Sequence, residues 1–216
     1  MVTTRPVHII LLHGLGASGD DLAPIGRMLA EYLVECPGLS AQEFRVHAPD
    51  APVAPVTINN GYRMPSWFDI YGLDRGAPVD MHGVEVSVER IVALIESEVG
   101  DDPYVLAGFS QGGVIALRAA CASSRSPMAV LLLSTWLPAA DRFVLPEGRK
   151  HMPIFIGHGE QDEVVPFVSA ARMGQVLNAT GAMRVETRFY TMAHQICPEE
   201  MNDMAQFLAG VVSQSK

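Results

Sequence analysis

Gly108-Phe109-Ser110-Gln111-Gly112 sets one hydroxyl between two glycines, just after the apolar run Tyr104 to Ala107 and just before Val114 to Cys121, which patterns as a helix. A serine on such a strand-to-helix corner is lifted above the sheet. The N-terminal amides of the helix that follows face the point where negative charge would grow on an attacked carbonyl oxygen. A β-carbon at either flanking position would crowd the neighbouring strand or helix. The chemistry this arrangement supports is acyl transfer through a covalent acyl-serine. The competing reading is a Gly-Ser turn that only caps a helix.

A hydroxyl is a weak nucleophile, so the reading requires a histidine base and an acid that orients it. On a parallel α/β sheet the chain order is serine, acid, histidine. Three histidines follow Ser110. His151 precedes its strand and falls at the wrong end of the sheet. His158 stands close behind its own strand end in "IGHGEQDEVVP" and reads as a loop-shaping residue. His194, in "FYTMAHQICPEE", comes directly after the last strand, where a base reaches across the sheet edge. Asp162 is the preferred acid, because it follows "IFIG" by one short loop; Glu160, Glu163 and Asp141 compete with it. A lone loop acid is more often a solvated charge or a helix cap.

The elements that must hold these groups alternate. Strands are expected at Val7 to Leu12, Phe44 to His47, Tyr104 to Ala107, Ala129 to Leu133, Ile154 to Ile156 and Arg184 to Tyr190. Helices are expected at Asp20 to Leu33, from about Val84 to Val99, at Val114 to Cys121, and near Phe167 to Asn178 and Pro198 to Val212. A Pro- and Asn-rich loop fills 51–80. Strands joined by crossover helices make a mostly parallel sheet covered on both faces, with sites at the carboxyl ends of the strands.

Composition narrows the partners. With 216 residues and 49% hydrophobic content, the chain reads as a single domain, 1–216. Fifteen Lys plus Arg against 24 Asp plus Glu give a net charge of −9, which repels nucleic acid and anionic membranes on average. The longest apolar stretch, Met128 to Ala140, is too short to span a bilayer, so no stable membrane insertion is expected. The start "MVTTRPVHIILLHG" lacks a secretory cleavage pattern, and Cys36, Cys121 and Cys197 are odd in number with no metal spacing. The expectation is a cytoplasmic protein with reduced thiols, no metal and no organic cofactor. A homodimer is compatible with it.

The stretches "LLHGLGASGDD", "APVTINNGYRMPSWFDI", "GFSQGG", "LSTWLP", "HGEQDEVVP" and "MAHQICPEE" together resemble the acyl-protein thioesterase and lysophospholipase-like carboxylesterase family of the α/β-hydrolase superfamily. They cover nearly the whole length. The resemblance implies Ser110 as nucleophile, Asp162 as orienting acid, His194 as base, and an oxyanion hole from the N–H groups of Leu15 and Gln111. It also implies an ester, thioester or lysophospholipid substrate. Ala17 stands where relatives usually have aspartate, Thr135 where many have glycine or cysteine, and Ala193 where glycine usually precedes the histidine.

"GLGASG" at 14–19 is also G-x-G-x-x-G between a strand and a helix, a dinucleotide-binding fingerprint. The acid that fingerprint needs should fall about 20 residues on; Asp50 comes too late, and His13 suits an oxyanion loop better. Only about twenty residues separate Leu133 from Ile154, which leaves no room for a large lid. Pocket-lining candidates are Met64, Trp67 and Phe68 from the 51–80 loop, with Trp136 and Leu137; each one singly is as readily a packing residue. Pro65-Ser66, Asn59 and Asn60 are read as fixing that loop's turns, and Asp69 as pairing with Arg63.

Overall fold

Val7–Leu12 (β1), Phe44–His47 (β2), Tyr104–Phe109 (β5), Ala129–Leu133 (β6), Ile154–Gly159 (β7) and Val185–Tyr190 (β8) form one sheet in the order β2-β1-β5-β6-β7-β8. These elements come from a computed structural model that describes residues 5–72 and 78–214. Every neighbouring pair in the sheet is parallel. The crossovers run through Gly19–Glu35 (α1), Met81–Leu94 (α2, continued by a π-helical turn Ile95–Val99), Gln111–Ala122 (α3) and Val168–Ala179 (α4), and Pro198–Gln214 (α5) closes the chain. This is the α/β-hydrolase fold.

The central strands are uninterrupted apolar runs because both faces are covered. Ile10, Leu12, Leu106, Val130, Leu132, Ile154 and Ile156 join one core with α2, α3 and α4. Ile9, Leu11, Val105, Ala107, Leu131, Leu133 and Phe155 join a second with α1 and α5. Leu106 and Leu132 are wholly buried, and truncating either to alanine would cost about 2–5 kcal/mol.

From β1 the chain moves outward to β2, then returns past β1 to start β5 and proceeds the other way. The carboxyl ends of β1 and β5 therefore flank the point where winding reverses, the ordinary place for a site in such a sheet.

The 51–80 segment departs from the expected irregular loop. Val53–Val56 (β3) and Tyr62–Pro65 (β4) pair antiparallel as a hairpin. Asn60 and Gly61 take left-handed backbone (φ 54° and 76°) to turn it. Residues 73–77 of the loop, like 1–4 and 215–216 at the termini, lie outside the described residues. No lid intervenes between β6 and β7, where the chain forms only the short turns Ala140–Arg142 and Glu147–Arg149. Among the described residues no helix is long and apolar enough to cross a membrane.

Candidate active site

Strand β5 runs two residues further than its periodicity implies, and α3 begins at Gln111 rather than Val114, so Ser110 alone makes the corner. Its φ of 52° is a strained value for a residue with a β-carbon. The strain is held from several sides. Ser110 N–H donates to the Leu133 carbonyl (2.9 Å), while its own carbonyl accepts from Gly113 N–H (3.0 Å) and Thr135 Oγ1 (2.6 Å). The flanking glycines are required by contact. A β-carbon on Gly108 would lie 2.3 Å from the Gly112 carbonyl oxygen, and one on Gly112 would lie 2.0 Å from that of Leu12. Thr135, one of the departures from the family pattern, thus braces the elbow.

Asp162 and His194, the expected acid and base, sit at the carboxyl ends of β7 and β8. His194 Nδ1 is 2.7 Å from Asp162 Oδ2, and the Asp162 side chain has no exposed surface. The other oxygen of Asp162 accepts from Val164 N–H (2.9 Å) and Val165 N–H (2.8 Å), which fixes the carboxylate plane. With a carboxylate at Nδ1, that nitrogen carries the proton and Nε2 is left to accept one. The His194 ring packs on Phe109, the residue before the serine, with centroids 4.7 Å apart. Ala193 has no left-handed backbone, so the path into His194 does not need the glycine found in relatives.

His158 also approaches Asp162 Oδ2, at 3.4 Å, but is wholly buried, and its Nε2–H donates to the Val165 carbonyl (2.7 Å). Burial pushes its imidazole below the ordinary range, so it stays neutral and ties down the acid's loop. Glu160 and Glu163 are exposed, and Asp141 is in a surface ion pair with Arg172.

The turn after β1 lies against the serine: a β-carbon on Gly14, the residue before Leu15, would lie 3.3 Å from Ser110 Cβ. Neither Leu15 N–H nor Gln111 N–H, the latter at the first position of α3, has an acceptor among the described residues. His13 holds this turn. It is fully buried, with Nδ1–H donating to the Gly14 carbonyl (2.7 Å) and Nε2 accepting from Ala51 N–H (2.9 Å).

A profile of the phospholipase/carboxylesterase family matches residues 4–212. The chain belongs to that family. Acyl-protein thioesterase 1 of Cryptococcus neoformans is 33% identical over 222 residues, covering 93% of this chain and 90% of the relative. The crystal structure of Arabidopsis thaliana SOBER1 superposes with a TM-score of 0.83 at 28% identity, over 96% of this chain and 99% of that one. Zea mays acyl-protein thioesterase 2 gives 0.81 at 26%, over 97% and 95%. As a family member the chain is a serine hydrolase acting on esters or thioesters.

Met64, one of the expected lining residues, lies beside the turn after β1, with its sulfur 3.4 Å from where a Gly16 β-carbon would be. Trp136 is half-buried and meets Phe68 edge-on at 6.2 Å. Trp67, Phe68 and Leu137 lie in the core instead. Trp67 Nε1–H donates to the His13 carbonyl (2.8 Å). The Gln111 side chain binds Trp67 N–H (2.9 Å), Ser66 Oγ (3.1 Å) and the Phe68 carbonyl (2.7 Å), and Gly16 N–H donates to the Pro65 carbonyl (2.8 Å). The glutamine side chain thereby ties the segment after β4 to the elbow, while the Gly16–Pro65 and Trp67–His13 bonds tie the same stretch to the turn after β1. Only the polar type of Gln111, next to Ser110, hinted at this. Asp69 does not pair with Arg63 as expected: it accepts from Thr57 N–H (2.7 Å) and Thr57 Oγ1 (2.5 Å), and Arg63 donates to the Val53 carbonyl (2.8 Å).

The G-x-G-x-x-G at 14–19 is absorbed by packing. A Gly19 β-carbon would lie 1.9 Å from the Ala48 carbonyl oxygen, and Gly19 N–H donates to Asp50 (2.7 Å).

Proposed function

We propose that this hydrolase cleaves carboxylic esters of short-to-medium acyl chains, with Ser110 as nucleophile, His194 as general base and then general acid, and Asp162 as the group that holds the imidazole. The observation that carries the assignment is the 2.7 Å His194–Asp162 contact, at the strand ends that also present a strained serine. Ser110 Oγ attacks the carbonyl carbon as its proton passes to His194 Nε2. The oxyanion is received by Leu15 N–H and Gln111 N–H. His194 then gives the proton to the departing alcohol or thiol, and water, activated by the same imidazole, releases the acid and restores the serine.

Met64 and Trp136 are the side chains proposed to touch the acyl chain, with Phe68 and Leu137 behind them and Trp67 in support. The names of the relatives favour a second reading, a protein thioesterase with the same machinery. In this reading residues 1–216 act as a single domain, in the cytoplasm, on a small or lipid-like substrate. The test is turnover of a graded series of p-nitrophenyl esters and matched thioesters by wild type and Ser110→Ala. A chain-length optimum that Ser110→Ala abolishes supports the reading. Equal turnover by the two proteins removes it.

A further inference from the structure

Glu200 is the third residue of α5, a position from which a glutamate ordinarily turns back to the free N–H groups of the helix start. Here it points inward instead. It is wholly buried, and neither carboxyl oxygen has a hydrogen-bond partner among the described residues. Burying a polar group without a partner is costly and burying an unpaired charge far more so, which makes this carboxyl an anomaly in an otherwise apolar core.

Its place in the fold is specific. Glu200 Oε1 lies 2.0 Å from the point that a β-carbon on Gly157 would occupy, so the carboxyl rests on the bare backbone of β7. Two residues on, facing the same way, Gly159 makes room for the carbonyls of Met192 and Ala193, at 2.3 and 2.5 Å from its absent β-carbon. The loop into His194 and the first turn of α5 thus sit side by side on one strand end. From that strand end hangs the acid loop: Asp162 N–H donates to the Gly159 carbonyl (3.3 Å) and Gln161 N–H to that of Met192 (3.1 Å). Only five residues lie between His194 and Glu200, so any movement of the carboxyl away from Gly157 pulls on the base and the acid together.

The ionisable groups around Glu200 are all acidic. On its own helix stands Asp203; beside it lies Cys197, whose sulfur accepts Glu200 N–H at 3.4 Å. From β8 comes Tyr190, whose hydroxyl donates to Asp203 (2.9 Å). Arg188 pairs with Glu186 and acts on Asp203 rather than on Glu200. From β7 the Gly157 backbone and the Phe155 ring lie at this point. Burial, with Asp203 adding to it, pushes the Glu200 carboxyl up to about 8.

We propose that Glu200 is a positioning residue of the active site: seated uncharged on Gly157, it pins the His194 loop to the strand end that carries Asp162, and a charge placed on it unseats the pair. This rests on the reading of Asp162 and His194 as the acid and base. A triad alone gives no alkaline fall in activity; Glu200 adds a reversible fall on the alkaline side.

The experiment measures kcat/KM for a p-nitrophenyl ester against pH in wild type, Glu200→Gln and Asp203→Asn, each normalised to its own maximum. Thermal unfolding midpoints are taken in the same buffers. Wild type is expected to lose about tenfold per pH unit above about pH 8. Glu200→Gln loses that limb. Asp203→Asn, which removes the neighbouring negative charge, moves the limb to lower pH. In the unfolding arm, the folded protein holds a proton on Glu200 that the unfolded chain releases above the ordinary carboxyl value of 4.5, so wild-type stability declines as pH rises toward about 8. The midpoint of Glu200→Gln relative to wild type should therefore rise from pH 5 to 8 and level off.

Superimposable alkaline limbs in wild type and Glu200→Gln overturn the proposal, as does a midpoint difference independent of pH. If Glu200→Gln does not fold, the direction of the shift in Asp203→Asn decides. If no protein turns over ester, the functional reading fails, while the unfolding arm still reports on Glu200.

Discussion

Two histidine–carboxylate clusters lie toward opposite ends of the same sheet. Near the amino ends, His8 of β1 is buried, with Nδ1 2.7 Å from His47 Nε2 and Nε2 3.5 Å from Asp102. At the carboxyl ends, His194 Nδ1 is 2.7 Å from Asp162. The pairs are chemically alike, yet among the described residues only the second shares its sheet end with the strained Ser110 and the amides of Leu15 and Gln111. In a parallel strand–helix chain each helix starts where a strand ends, so N-terminal N–H groups gather at the carboxyl end and helix carbonyls gather at the other. Asp102 follows just such a helix end, the turn Ile95–Val99. An imidazole beside a carboxylate becomes catalytic through its surroundings.

That contrast is breakable, most sharply by exchange of roles. Ser110→Ala and His194→Ala should each lower kcat/KM by about 10⁴–10⁶-fold, whereas His8→Ala should leave it unchanged; steady-state ester hydrolysis decides, and a comparable loss in His8→Ala would erase the distinction. Asp162→Asn is expected to cost about 10³–10⁴-fold by allowing the wrong imidazole tautomer, against no comparable loss for Asp102→Asn in the same assay. Thr135→Val, which removes one of two donors to the Ser110 carbonyl, should lower stability by ~1 kcal/mol. Urea unfolding measures that cost, and an unchanged midpoint would mean that Gly113 alone supports the elbow.

The smallest effect concerns His47, whose imidazole is pushed down by burial first and then by His8. Its folded form stays neutral where the unfolded chain takes up a proton. Stability from this group is therefore present above its ordinary value of 6.5 and lost as pH falls below it. His47→Gln should flatten unfolding free energy between pH 7.5 and 5; an unaltered slope would count against the amino-end cluster being linked to protonation at all.

The parallel sheet, the elbow and the chain order of Ser110, Asp162 and His194 were legible in the residues alone. They depend on short-range signals: apolar runs for strands buried on both faces, helical spacing, and glycines where a corner leaves no volume for a β-carbon. Partner choice between side chains far apart in the chain is not a short-range property. Asp69 bonds Thr57 instead of the opposite charge on Arg63, because the hairpin sets Thr57 beside it. Trp67, read as pocket lining, is buried against His13, and Gln111 binds a segment more than forty residues earlier in the chain. Nothing local marks Glu200 as buried rather than solvated at a helix start. Sequence by itself determined which groups the chemistry has and where each leaves the sheet. Only tertiary packing decided which of them meet, because desolvation and hydrogen-bond satisfaction are settled by neighbours that the order of residues does not bring together.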